Sequence, residues 1–205
     1  MLQNIKNAWK LFKIVSIHKY WVFYFCRKCG ITWRGIVHDL SKYSPTEFLE
    51  NLKYYHPDRS PVGVCKSKNG YSGAWQHHKG RNPHHYEYWT DNYDRGTTAI
   101  RMPKEYAIEM LCDWLAACKV YNGNIPIKEV YHKEWEHWTN RKNNVYMHPD
   151  TFKFIDNAIQ ILNAYAENKD WTSIDNFLKC IKNKWGWLNS MSEEKPNIKI
   201  KKGKN

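Results

Sequence analysis

Residues 36–47 read IVHDLSKYSPTE. Here a short helical segment, Ile31 to Tyr43, carries the adjacent pair His38-Asp39 and then Lys42. Ser44-Pro45-Thr46-Glu47 follows, supplying an N-cap, a proline at the first helical position and a capping-box acid for a helix to about Tyr55. The stretch therefore predicts helix on both sides of a histidine–carboxylate pair. On a helix, Asp39 and Lys42 are three residues apart and share one side. A carboxylate able to hold a cation, beside an ammonium able to meet an anionic oxygen, suits phosphate chemistry.

Working outward, Ile5, Ala8, Trp9, Leu11, Phe12, Val15, Trp21, Val22 and Phe25 recur every three or four residues, an amphipathic helix that should end near Gly30. On the other side, proline, glycine, asparagine and serine between His56 and Gly73 predict a long loop that could serve as a lid. Ala74 to Lys79 reads as the last turns of a helix, and Asn82-Pro83 as the cap and first position of another through Trp89. Met102-Pro103 should open a helix with two distinct faces that ends before Asn122-Gly123. Further helices are expected over Ile127 to Thr139, Pro149 to Ala166 and Thr172 to Asn183. Strand-like alternation is scarce and no repeat is visible. The fold class expected is all-α, one helical domain over residues 1–187 with a basic, poorly ordered tail over 188–205.

Composition limits the partners. Lysine and arginine number 32 against 20 acids, a net charge of +12 that favours polyanions. The first 38 residues hold seven lysines or arginines and no acid, so a nucleic acid could also be gripped through the basic ends. The N-terminal apolar residues are interrupted by lysines, which argues against a secretory signal, and no apolar run approaches the ~20 residues of a membrane span. A cytoplasmic location is expected, with a helix lying on a membrane surface as a lesser alternative. Cys26 and Cys29 form a lone CxxC at a helix end, better read as packing than as zinc or redox chemistry.

The candidate chemistry lies in ordered histidines and carboxylates: His18, then His38-Asp39, then His77, His78, His84 and His85, then Asp113. All are nitrogen or oxygen donors, the set shared by Zn²⁺, Mn²⁺ and Fe²⁺, whereas a structural zinc would recruit thiols. Lys79 and Arg81 interleave with the histidines and would bind anionic oxygens. Each residue also has a blander reading. His18 alone suits a packed core histidine, Asn82 is better read as a cap than a ligand, and Glu109 could orient a ligand or form an ordinary helical pair. Asp113, in an apolar stretch beside Trp114, needs a partner if buried. Trp75 or Trp89 could stack on a base.

The order His18, His38-Asp39-Leu40-Ser41-Lys42, the histidine group and Asp113 resembles the HD-domain metal-dependent phosphohydrolase superfamily over roughly residues 14–117. It is similar in particular to a bacterial and phage group with HDLSK and HHxxxNxHH segments. The resemblance implies an HD-domain-like helical bundle. It implies one metal held by His18, His38, Asp39 and Asp113, with Asp39 bridging to a second held by histidines from His78, His84 and His85, and His56 as a substitute. It assigns Lys42 to the phosphate, with Asp39 and Lys42 as the catalytic pair and Lys42, Lys79 and Arg81 as substrate contacts. The absence of GYP after the histidines argues against the cyclic-di-GMP subgroup. The implied cofactor is one or two divalent ions of Mn, Fe, Co, Ni or Zn, with Mg a weaker candidate. The implied activity is hydrolysis of a phosphomonoester or phosphodiester in a small anionic substrate, a nucleotide or nucleotide-derived signal, in the host cytoplasm if phage-encoded. The alternatives are a non-catalytic nucleotide or nucleic-acid binding protein and a di-iron oxygenase on the same fold.

Overall fold

The computed structural model describes residues 2–184 except 58, 94 and 95. The expected tail over 188–205, with Trp185 and Trp187, lies outside the described residues. Within them the chain is an all-α bundle of α1 (Leu2–Lys28), α2 (Thr32–Val37), α3 (Pro45–Lys53), α4 (Pro61–Asn69), α5 (Gly73–Arg81), α6 (Lys104–Tyr121), α7 (Ile127–Arg141), α8 (Pro149–Glu167) and α9 (Trp171–Lys184). A single antiparallel hairpin, β1 (Thr90–Tyr93) and β2 (Gly96–Ala99), precedes α6.

α6 is central because it is apolar nearly all round. Ala107, Ile108, Met110, Leu111, Cys112, Leu115 and Ala116 are all buried, so it has neighbours on every side. α1 lays Val22, Phe25 and Cys26 against it, while α7, α8 and α9 close the far side with Trp138, Ile155, Ile159, Leu162 and Leu178. α1 stops at Gly30, whose φ of +70° a glycine adopts freely, and the Ile31 N–H donates back to the Cys26 carbonyl across that turn. Cys26 and Cys29 are fully buried, with the Cys112 Sγ 3.7 Å from the Cys29 Sγ, which agrees with the packing reading of the CxxC.

Three expectations fail. First, Ile31 to Tyr43 is not one helical segment. α2 ends at Val37, His38 is extended, Asp39 turns left-handed at φ +53°, and a 3-10 turn spans Leu40–Tyr43. Adjacent residues of an α-helix point about 100° apart, so the break is what lets both side chains turn into the same buried space. Second, Asn82 does not open a helix to Trp89. Extended as a residue before proline must be, it closes α5, its side-chain amide donating to the His78 carbonyl; a short 3-10 turn, Tyr86–Tyr88, and the hairpin follow. Third, the long loop after His56 contains α4, opened by Pro61 at its first position and closed by Gly70 at φ +79°.

Candidate metal centre

Five segments bring donors together. His18 comes from α1 and Asp113 from α6, His38 and Asp39 from the break after α2, His78 from α5, and His84 and His85 from the turn beyond it. His18, His38, Asp39, His78 and His84 are at most 4% exposed and Asp113 is 8% exposed. They form two groups whose ligand atoms all lie within 4.8 Å of one another: His18, His38, Asp39 and Asp113, and Asp39, His78, His84 and His85. Asp39 belongs to both. The ten-histidine sequence is thereby sorted, since His56 is exposed on the α3–α4 connection and His77 bonds only to Glu47 within this region.

The spacing is that of a coordination shell. His38 Nε2 lies 3.2 Å from Asp39 Oδ2 and 3.5 Å from Asp113 Oδ1, and the Nε2 atoms of His78 and His84 each lie 3.3 Å from Asp39 Oδ1. Two donors about 2.1 Å from a common tetrahedral ion stand about 3.4 Å apart. His18 Nε2 and Asp113 Oδ1 are closer, at 2.9 Å, and hydrogen-bond directly.

What these atoms lack is equally informative. His38 Nε2, His84 Nε2, His85 Nε2 and Asp39 Oδ1 are buried without a hydrogen-bond partner. Asp39 Oδ2 is paired with Lys42 Nζ at 2.6 Å. Burying such atoms unpaired costs about 1–3 kcal/mol each. Four in one place fit a cation that satisfies them together, so these buried residues could hold a metal ion.

Behind the donors stand two carboxylates that orient them. His38 Nδ1 donates to Glu109 Oε1 at 3.0 Å, and His84 Nδ1 lies 3.3 Å from the same oxygen. His78 Nδ1 donates to Glu47 Oε2 at 2.8 Å, and His77 Nδ1 to Glu47 Oε1 at 2.7 Å. An ionised carboxylate only accepts, so each of these imidazoles carries a proton on Nδ1 and turns Nε2 toward the cluster. Glu109 is fixed in turn by Arg34, 2.6 Å from Oε2, whose guanidinium stacks over Tyr106 at 4.1 Å.

Burial lowers the His38 and His84 imidazoles, but the facing carboxylates of Asp39 and Glu109 outweigh it and raise both, His38 well above the usual range, so a cation would displace a proton from each. Burial pushes the Glu109 carboxyl up, but its bonds from His38 and His84 hold it down at about 2. Asp39 and Asp113 stay well below the usual carboxylate range against the same burial, Asp39 through His38 and Lys42 and Asp113 through His18 and His38. Burial and the neighbouring His84 push His85 well below the usual imidazole range, which keeps it neutral, as a ligand must be.

Sequence reasoning missed Glu47 as a supporting carboxylate and left Glu109 open between orienting a ligand and an ordinary helical pair. Glu47 was legible as a capping-box acid. Its N–H does bond to Ser44 Oγ at 3.4 Å, but its carboxylate turns away to the histidines. Glu109 lies one turn before Asp113 and therefore on the same face of α6, a signal present in the sequence but shared with ordinary surface pairs. Tyr121, two turns after Asp113, stacks 5.9 Å from His18 at the exposed edge of the centre. Of the expected anion contacts, Lys42 stands at the centre, while Lys79 is half-buried on α5 with its charge acting on Glu87, and Arg81 is exposed at the helix end. Trp75 lies 5.0 Å from the His85 ring; Trp89 is held away by its bond to the Pro83 carbonyl.

A separate group, Cys118, Glu134 and His137, also gathers possible ligand atoms. Glu134 is taken by Arg141 at 2.6 Å, and burial pushes the Cys118 thiol up to about 12, so no thiolate is offered.

Among the described residues no helix is long and apolar enough to cross a membrane. Residues 7–161, which include every residue of the centre, match a family described as a family of unknown function (DUF5662). No curated protein and no solved structure matches.

Proposed function

The chain belongs to the DUF5662 family, and we propose that it is a metal-dependent phosphohydrolase on an HD-domain-like helical bundle, acting on a nucleotide or nucleotide-derived phosphate ester. One observation carries the reading: four unpartnered buried ligand atoms at and around Asp39, backed by carboxylates that turn the imidazole Nε2 atoms inward. The donor set of imidazole and carboxylate favours Mn²⁺, Fe²⁺, Co²⁺, Ni²⁺ or Zn²⁺ over Mg²⁺, which prefers oxygen and keeps its waters. His18, His38, Asp39 and Asp113 would hold one ion and Asp39, His78, His84 and His85 a second. When bound, such ions supply Lewis acidity and a nucleophilic water at neutral pH.

The chain's own residues do the rest. Asp39 and Asp113 remain ionised and present full negative charge to the cation side. Lys42 stays protonated, because its pairing with Asp39 outweighs burial and raises its pKa. With about a quarter of its side chain exposed, it reaches the solvent edge of the centre, where it can neutralise an equatorial phosphate oxygen. Arg34 and Glu109 keep His38 and His84 from rotating, so the geometry is set before substrate arrives.

The test is direct. Protein loaded with Mn²⁺, Co²⁺, Ni²⁺ or Fe²⁺ should release phosphate, or open a phosphodiester, from a panel of mono-, di- and cyclic nucleotides, and Asp39→Asn should abolish turnover. Protein that binds metal stoichiometrically yet leaves the panel untouched would refute the hydrolase reading. Oxygen consumption by the iron form would replace it with an oxidative one.

A further inference from the structure

The N-terminal half of α1 presents a face that nothing in the described fold covers. α6 ends at Tyr121 beside His18, so the α1 residues well before His18 lie beyond the end of α6. They keep contact with the body through buried Leu11 and through Tyr43, whose ring stands edge-on to Phe12 and whose hydroxyl lies 3.1 Å from Ser16 Oγ. The outer face carries Leu2, Ile5, Trp9 and Phe12 at three- and four-residue steps, with Tyr20 two turns further on. Ile5 is 61% and Trp9 66% exposed. Trp9, Phe12, Lys13, Ser16, Ile17 and Tyr20 enclose a shallow, largely apolar groove of about 290 Å³. Lys6, Lys10 and Lys13 are exposed beside it.

We propose that this face of α1 docks on an anionic lipid surface, with Ile5, Trp9 and Phe12 at the headgroup boundary and Lys6, Lys10 and Lys13 on the lipid phosphates. A solvent-facing stripe of aliphatic and aromatic side chains edged by lysines is the pattern of a helix that lies in an interface. Charge selects the occupant. A second copy would oppose lysine to lysine, since the first 38 residues contain seven basic side chains and no acid. The chain's own C-terminal segment is excluded on the same ground, because residues 182–205 hold seven lysines against two glutamates. A nucleic acid would answer the lysines but leave Leu2 and Ile5 in water, whereas a bilayer satisfies both. Among the described residues no helix is long and apolar enough to cross, and the contact proposed is with the lipid surface. The proposal does not depend on the reaction at the metal centre.

The experiment is co-sedimentation of the full chain with phosphatidylcholine vesicles, with and without phosphatidylglycerol, at low and high salt. Binding is expected only with phosphatidylglycerol, falling as salt rises. The double variant I5S/W9S should bind about tenfold more weakly, and K6E/K10E/K13E should lose binding, both with unchanged metal content as the check on folding. The proposal is overturned by absence of binding, by equal binding to neutral vesicles, by wild-type binding of I5S/W9S, or by preference for single- or double-stranded DNA over the anionic vesicles.

Discussion

Glu109 Oε1 accepts a hydrogen bond from His38 Nδ1 at 3.0 Å and lies 3.3 Å from the Nδ1 of His84, so a single carboxylate oxygen stands behind imidazoles of both candidate ion groups. Asp39 joins the groups from the front, and Glu109 from behind. The two ions, if both bind, share a support as well as a bridge.

Glu109→Gln should therefore weaken both ions. Supporting carboxylates of this kind typically change metal affinity about 10–100-fold. Glu47→Gln, which releases His78 and His77 only, should weaken the second group and spare the first. Metal titration by calorimetry, with metal content measured after dialysis, distinguishes them; equal effects of the two variants would show that the groups are not separately supported.

Asp39→Asn is the cleanest way to remove the bridge. Asparagine tolerates the left-handed backbone at this position nearly as well as aspartate, whereas alanine would add roughly 1 kcal/mol of strain. The variant should fold but lose the rise in melting temperature that added Mn²⁺ or Zn²⁺ produces in the wild type. Persistence of that rise by thermal scanning would mean that the ion binds elsewhere.

Gly35→Ala tests how α2 is held. A Cβ there would stand 2.8 Å from the Phe23 Cα and 2.9 Å from the Cys26 Cβ, contacts that a backbone cannot yield cheaply. Destabilisation of about 1–3 kcal/mol is expected, read from the urea midpoint. His38 lies three residues on, so metal affinity should fall as well.

Glu50 ties three helices together. Its Oε1 accepts from Ser72 Oγ at 2.6 Å and from the Ala74 N–H at 2.9 Å, at the start of α5, and lies 3.6 Å from the Cys65 Sγ of α4. Burial pushes the Glu50 carboxyl up, but these bonds outweigh it and hold it below the ordinary glutamate value. Its contribution to stability is therefore complete above that ordinary value and is lost as pH falls through the lowered one. Hydrogen exchange should show α5 loosening in that acid window. Glu50→Gln should show the loosened state already at neutral pH, with little further change on acidification.

Much of this was legible in the chain. The cap Ser44-Pro45 and the helix-opening Pro149 stand where α3 and α8 begin, and Gly30 stands where α1 ends, because these residues act through local backbone geometry. His18, His38, Asp39, His78, His84, His85 and Asp113 were recognisable as candidates by type and order, and the fold gathers all seven. His77 and His78 could not be told apart, because adjacent helical residues differ only in which way the fold turns them. The same limit hid Glu47 and left Glu109 undecided, because their role appears only when α3 and α6 stand behind particular histidines. Asn82 failed in the opposite direction: a residue before proline suits either end of a helix, and its bond to the His78 carbonyl decides which.

Side-chain periodicity and capping chemistry act within a few residues, so the order of helices, their ends and their apolar faces follow from the linear chain. Which donors share an ion, which imidazole nitrogen is free and which carboxylate holds it depend on contacts between residues up to 95 positions apart, such as His18 with Asp113. Only the packing of α1, α3, α5 and α6 around the break at His38-Asp39 brings those atoms within reach, because burial there makes an unpaired polar atom too costly to leave without a partner.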